Sequence, residues 1–131
     1  MLEENGLRVG AVRGKQHLTK TAQYALVYNK GNAWVNDLLV MKALPNALGL
    51  SRYGFSVSRR LGGAVVRNRV KRVLREILRR MPLKPGWDII FIARSKAAKA
   101  GYAEFNKSVI GLLLKSELLT GEHEEVCPGI N

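Results

Sequence analysis

Acidic residues are almost missing from the middle of this chain: from Arg59 to Arg80 there is one, Glu76, against nine Arg or Lys. Cysteine is as scarce. Cys127 is the only one, so no intrachain disulfide can form and a reducing compartment is expected. The two histidines, His17 and His123, stand beside no Cys or Asp cluster at ligand spacing, and no protein-borne metal site is expected. Neither a GxxxxGK(S/T) nor a GxSxG motif occurs, and Leu61-Gly62-Gly63-Ala64 is too short a glycine signal for a nucleotide pocket. Glu76 lies among cations and reads as an ion-pair partner; Asp37 and Asp88 open strands, where Asp commonly makes turn hydrogen bonds. No catalytic residue is therefore assigned. There is also no apolar run of membrane-spanning length and no signal-peptide core in the first 16 residues, so a soluble cytoplasmic protein is expected.

What is present is positive charge. The 131 residues carry 22 Lys or Arg and 10 Asp or Glu, a net charge of +12 with a pI near 10.4, and 47% are hydrophobic, enough for one folded domain. Residues Thr120 to Asn131 hold three acids and no Lys or Arg, which sets that tail apart from the basic part. A polyanion is the implied partner, and the placement of the charges favours RNA. Along the helix expected from Ala64 to Arg80, Val66, Val70, Val73, Leu74, Ile77 and Met81 share one side; Asn68, Lys71, Arg72, Arg75 and Arg79 share the other, with Arg67 and Arg69 at the boundary. Like charges recur at Arg67/Lys71 and Lys71/Arg75, and Arg72/Glu76 is an opposite pair at that spacing. Each like pair costs about 0.2–0.5 kcal/mol in an isolated helix, a repulsion that a bound anion would offset.

The remaining pattern describes an α+β domain over residues 18–119, between an N-terminal tail (1–17) and a C-terminal acidic tail (120–131). Thr19 or Thr21 can cap a first helix that Gly31 ends, placing Tyr24 and Tyr28 on one face. Trp34–Leu44 reads as one or two strands. Arg52–Ser58 alternates Tyr53, Phe55 and Val57 against Gly54, Ser56 and Ser58, the period of a half-buried strand. Its small side suits either a polynucleotide backbone or a packed helix. Pro82 stops the basic helix, Ile89-Ile90-Phe91-Ile92 predicts a strand buried on both faces, and a last amphipathic helix runs from about Tyr102 to Leu119.

The segment Arg52-Tyr-Gly-Phe-Ser-Val-Ser-Arg-Arg-Leu-Gly-Gly-Ala-Val-Val-Arg-Asn-Arg-Val-Lys-Arg-Val-Leu-Arg-Glu76 closely resembles the signature of the bacterial ribonuclease P protein subunit. Tyr24-x3-Tyr28-x-Lys30-Gly31 is similar to that family's first helix, and Asp88-Ile-Ile-Phe-Ile-Ala-Arg94 to its last strand. The resemblance implies a single-domain αβββαβα fold, with helices packed on a mixed sheet and a left-handed βαβ crossover around the central helix, against the usual hand. It implies a ribonucleoprotein in which a catalytic RNA, holding magnesium, removes the 5' leader of precursor tRNA as an endonuclease. The protein would bind both RNAs, with no membrane and no obligate protein partner. Carried over residue by residue, Tyr24, Tyr28, Arg52, Ser56 and Ser58 would line the leader cleft. Arg59, Arg60, Arg67, Asn68, Arg69, Lys71, Arg72 and Arg75 would contact the catalytic RNA. The chain departs from the family at Leu38, Leu39, Val40 and Met41, where many relatives carry aromatic residues. A ribosomal or ribosome-assembly protein is the alternative, sharing the basic α+β domain without any enzyme activity.

Overall fold

The apolar run Ile89–Ile92 lies in the middle strand of a mixed five-stranded sheet, in a computed structural model that describes residues 15–18 and 20–119. The elements are β1 (Lys15–His17), α1 (Thr21–Lys30), β2 (Asn32–Val35), β3 (Leu39–Pro45), β4 (Ser51–Ser56), α2 (Ala64–Arg80), β5 (Trp87–Ala93) and α3 (Tyr102–Ser116), with 3₁₀ turns at Arg59–Leu61 and Ser95–Lys99. The expected αβββαβα order is present, preceded by the short β1 inside what was expected to be an N-terminal tail. Strand order is β1-β4-β5-β3-β2. β5 runs parallel to β4 and antiparallel to β3, and the parallel pair is joined through α2 as crossover. Thr19, His123, Cys127 and the acidic tail lie outside the described residues.

Strand alternation sorts the side chains into two cores. Leu39, Met41, Ala43, Tyr53, Ile89 and Phe91 face α2 and α3, meeting Val70, Leu74, Ile77, Leu78, Phe105, Val109, Leu112 and Leu113. The opposite parity places Ile90 with Val27 of α1 and Leu18, against which Tyr24, Tyr28, Leu44 and Ile92 pack. The sheet is thus a middle layer with α1 on one face and α2 and α3 on the other. Ile89, Ile90 and Phe91 are fully buried, as a continuous apolar run demands when both faces are covered.

Several boundaries differ from the sequence expectation for local reasons. β4 ends at Ser56 because Ser58 caps the following 3₁₀ turn, its Oγ accepting from the Arg60 N–H at 3.2 Å. Thr21 is the first helical residue of α1 and Lys20 occupies the cap position, where its backbone N–H donates to Gln23 Oε1. Gly31 does end α1, though with an ordinary φ of −77°: a Cβ there would lie 2.6 Å from the Val27 carbonyl oxygen and 2.9 Å from that of Ala43. Gly62 has φ +150°, which only glycine tolerates well, and connects the first 3₁₀ turn to α2. α3 stops at Ser116 with Glu117 left-handed, short of Leu119.

One ion pair crosses the β4–β5 ladder. Arg52 donates from Nε and Nη2 to the two carboxylate oxygens of Asp88 at 2.8 and 2.7 Å, and Asn46 Nδ2 donates to Oδ1 at 2.8 Å. The Asp88 side chain is 4% exposed and that of Arg52 19%. Asp88 is therefore the interior anion of the sheet, and its strand-start position in sequence gave no sign of that. Arg52→Ala would leave it buried with one neutral partner, and breaking such a pair costs about 3 kcal/mol or more. Urea unfolding at neutral pH should show a loss of that order; an unchanged midpoint would contradict it.

On the α2 side of the sheet edge, the His17 ring stands 4.7 Å from that of Tyr53, which in turn is 5.7 Å from Phe55. One side of His17 remains exposed, while contact on the other and the nearby Arg75 guanidinium hold its pKa below the ordinary 6.5. Burial likewise raises the Tyr53 hydroxyl, opposed by Arg75 and Arg79. With a folded pKa lower than the unfolded one, the unfolded chain binds more protons as pH drops through about 6.5, so this contribution is full above that pH and is lost below it. Thermal melts from pH 7.5 to 5 should fall less steeply for His17→Gln than for the parent; parallel curves would refute the contribution.

Candidate nucleic-acid interface

Two sets of residues expected to meet RNA lie on opposite faces of the sheet. α2 turns its apolar stripe inward and its cations outward: Asn68, Arg72 and Arg75 are exposed and Lys71 is half-buried. Arg59 and Arg60, in the 3₁₀ turn just before it, are exposed as well. Glu76 pairs with Arg79 and Arg80 at 2.8 and 2.9 Å, one turn along, rather than with Arg72 as the spacing suggested. Its ion-pair role stands, and the pairing shifts toward the end of the helix, leaving the first three turns of α2 without any acid.

Arginines that look alike in sequence separate here. Arg67 donates from Nε to the Gly62 carbonyl at 3.2 Å. Arg69 is committed further, with Nη2 donating to the Ala98 carbonyl at 2.7 Å and Nη1 to that of Ala100 at 3.1 Å. Arg52 is held by Asp88, and hydrogen bonding to that carboxylate raises its already high pKa. Each guanidinium is a planar fork of donors that suits a pair of internal acceptors as well as it suits a phosphate.

On the other face, Tyr24 and Tyr28 are both half-buried between α1 and the sheet. Tyr24 lies over Gly54: a Cβ added there would be 2.7 Å from Tyr24 Cζ and would overlap its hydroxyl oxygen. The open question about the small side of β4 has a divided answer. At Gly54 the small residue accommodates a packed helix, while Ser56 is half-buried and Ser58 exposed. The Tyr24 hydroxyl donates to the Leu18 carbonyl at 3.4 Å, and burial raises its pKa. Lys42 donates to the Tyr28 carbonyl at 3.2 Å with Nζ 5.6 Å from the Tyr28 ring centre, a cation–π contact. Lys42 escaped sequence reasoning, yet a signal existed: it is the one charge in the apolar strand 39–44, on the parity of Val40 and Leu44. Leu39 and Met41 face the α2 core and are fully buried, and Val40 has the opposite parity in the strand.

Among the described residues, no three His, Cys, Asp or Glu side chains converge where they could hold a metal ion, and no helix is long and apolar enough to cross a membrane. The surface these residues make is suited to binding a polyanion and a stacking base.

Comparison with known proteins gives a consistent relationship. The family model described as Ribonuclease P matches residues 12–117. A ribonuclease P protein component from Dehalococcoides mccartyi is 48% identical over 114 residues, covering 87% of this chain and 95% of the relative. One from Caldanaerobacter subterraneus is 42% identical, covering 77% and 89%. Among solved structures, the RNase P protein of Staphylococcus aureus superposes with a TM-score of 0.73 at 30% identity, covering 79% of this chain and 97% of that one. The RNase P protein of Thermotoga maritima follows at 0.69 and 29%, covering 74% and 94%. Motif, fold and overall similarity thus agree, and the chain belongs to the ribonuclease P protein family.

Proposed function

We propose that this chain is the RNA-binding protein subunit of a ribonuclease P holoenzyme, helping a catalytic RNA to remove the 5' leader from precursor tRNA. The observation that carries the reading is the acid-free cationic surface of Arg59, Arg60, Asn68, Lys71, Arg72 and Arg75, exposed or half-exposed along one helix and the turn before it. Such a row neutralises phosphates and releases their counterions. In this reading it binds the catalytic RNA, with Arg67 and Arg69 at its border. The leader lies against the opposite face of the sheet, where Tyr24 and Tyr28 offer ring faces for stacking and Ser56, Ser58 and Lys42 offer hydrogen bonds or charge. Arg52 borders that surface and, through Asp88, keeps its floor in place. A leader of variable sequence needs stacking and phosphate contacts in place of base-edge readout, and these residue types supply both.

Magnesium belongs to the RNA in this proposal. Among the described residues no three His, Cys, Asp or Glu side chains come together. The direct test is the RNA that copurifies with the tagged chain: one structured RNA that cleaves precursor tRNA with magnesium supports the reading, and whole ribosomal subunits would replace it with an assembly role.

The isolated chain is expected to cleave nothing, and precursor-tRNA cleavage should appear only with the cognate RNA and magnesium present. Turnover by rigorously RNA-free protein would overturn the division of roles. For the tyrosines, Tyr24→Ala or Tyr28→Ala in the reconstituted holoenzyme should weaken precursor-tRNA binding by about 1–3 kcal/mol each, the range for loss of one stacked base. Mature tRNA and catalytic-RNA affinity should hold. Loss of thermal stability with an unchanged precursor-to-mature ratio would make both residues packing groups only.

A further inference from the structure

We propose that Arg69 is a positioning residue that straps the 3₁₀ segment Ser95–Lys99 onto α2, so that Lys96 and Lys99 extend the α2 surface as additional contacts to the phosphates of the catalytic RNA. The inference rests on the reading of α2 as the RNA-binding helix. Its starting point is the pair of hydrogen bonds from one guanidinium to the carbonyls of Ala98 and Ala100, which flank Lys99. These bonds are charge-assisted, and the fork spans both acceptors at once. Two of the five N–H donors of Arg69 are committed to the main chain in this way, which fixes the guanidinium in place.

The segment it holds is built to present cations. Ala97 and Ala100 are buried and anchor it, while Lys96 and Lys99 are exposed. A 3₁₀ turn has three residues, so side chains three apart leave the backbone on the same side, and Lys96 and Lys99 are three apart. The segment packs against both α2 and the Arg59–Leu61 turn, which makes the three elements neighbours. Their charges are unopposed along the chain: no Asp or Glu occurs from Ser58 to Arg75 or from Ile89 to Ala103. The next acid, Glu104, accepts from the Gly101 N–H at 2.8 Å at the start of α3. Among the described residues neither lysine takes part in an ion pair. A cationic surface contributed by three separate chain segments fits a folded RNA, whose phosphates come from more than one strand direction.

The test uses the full chain and the cognate catalytic RNA, with affinity measured across a salt series and thermal melts for every variant. Arg72→Ala serves as the reference for α2. Lys96→Ala/Lys99→Ala should melt like the parent, bind less tightly, and lower the salt slope by about 1.5, from about 0.7–0.9 per lost contact. Arg69→Lys keeps the charge but cannot span both carbonyls. It should bind less tightly, and in its background the two lysine replacements should have less than half their effect on the slope. An unchanged affinity and slope in the double lysine variant, with Arg72→Ala impaired, would overturn the added surface and leave α2 standing. If Arg72→Ala is silent as well, the reading of α2 falls and this inference with it. Equal lysine effects in both backgrounds would overturn the strap.

Discussion

The whole arrangement depends on β5 being covered on both faces and paired on both edges. Its odd-numbered residues Ile89 and Phe91 belong to the core under α2 and α3, and Ile90 belongs to the core under α1. A strand in that position has no freedom of register, because a slip of one residue would exchange the two cores. β4 and β3 take their places from it, and α2 must cross over the sheet to connect two parallel neighbours. The helix that carries the cations is thereby fixed on one face, and the helix that carries Tyr24 and Tyr28 on the other.

Arginine does two kinds of work in this molecule. Arg52 and Arg69 use the guanidinium fork inward, one on a buried carboxylate and the other on two main-chain carbonyls. Arg59, Arg60, Arg72 and Arg75 leave theirs in solvent. The inward pair is structural in the sense that removing the cation would take a charged donor away from Asp88 in one case and from two main-chain carbonyls in the other. The outward set is a surface whose mutual repulsion an anion would relieve, and Glu76 relieves it only at the far end, where it pairs with Arg79 and Arg80.

A similar division holds on the α1 face. Gly54 is small because Tyr24 occupies the space above it, whereas Ser56 and Ser58 keep access to solvent. Tyr24 and Tyr28 are each partly packed and partly open, a placement that would hold a ring at a fixed angle while leaving part of it accessible. Lys42 adds a charge beside Tyr28 from the neighbouring strand.

Spacing, with stops such as Gly63 and Pro82, was sufficient for the types of the three helices and of β4 and β5, the limits of α2 and the two-faced burial of β5, while Trp34–Leu44 was legible only as one or two strands. The family signature was legible because its glycines, serines and basic residues are contiguous from Arg52 to Glu76. Tertiary structure decided what spacing does not encode. Asp88 and Arg52 are 36 residues apart and meet only because β4 and β5 pair in register. Arg69 reaches carbonyls 29 and 31 residues away, so its sequence environment is the same as that of its exposed neighbours. Lys15–His17 becomes a strand only by the presence of the β4 edge, being too short to declare itself by alternation. Local chemistry sets a residue's conformation and face; which partner completes its hydrogen bonds is set by the chain that folding brings alongside.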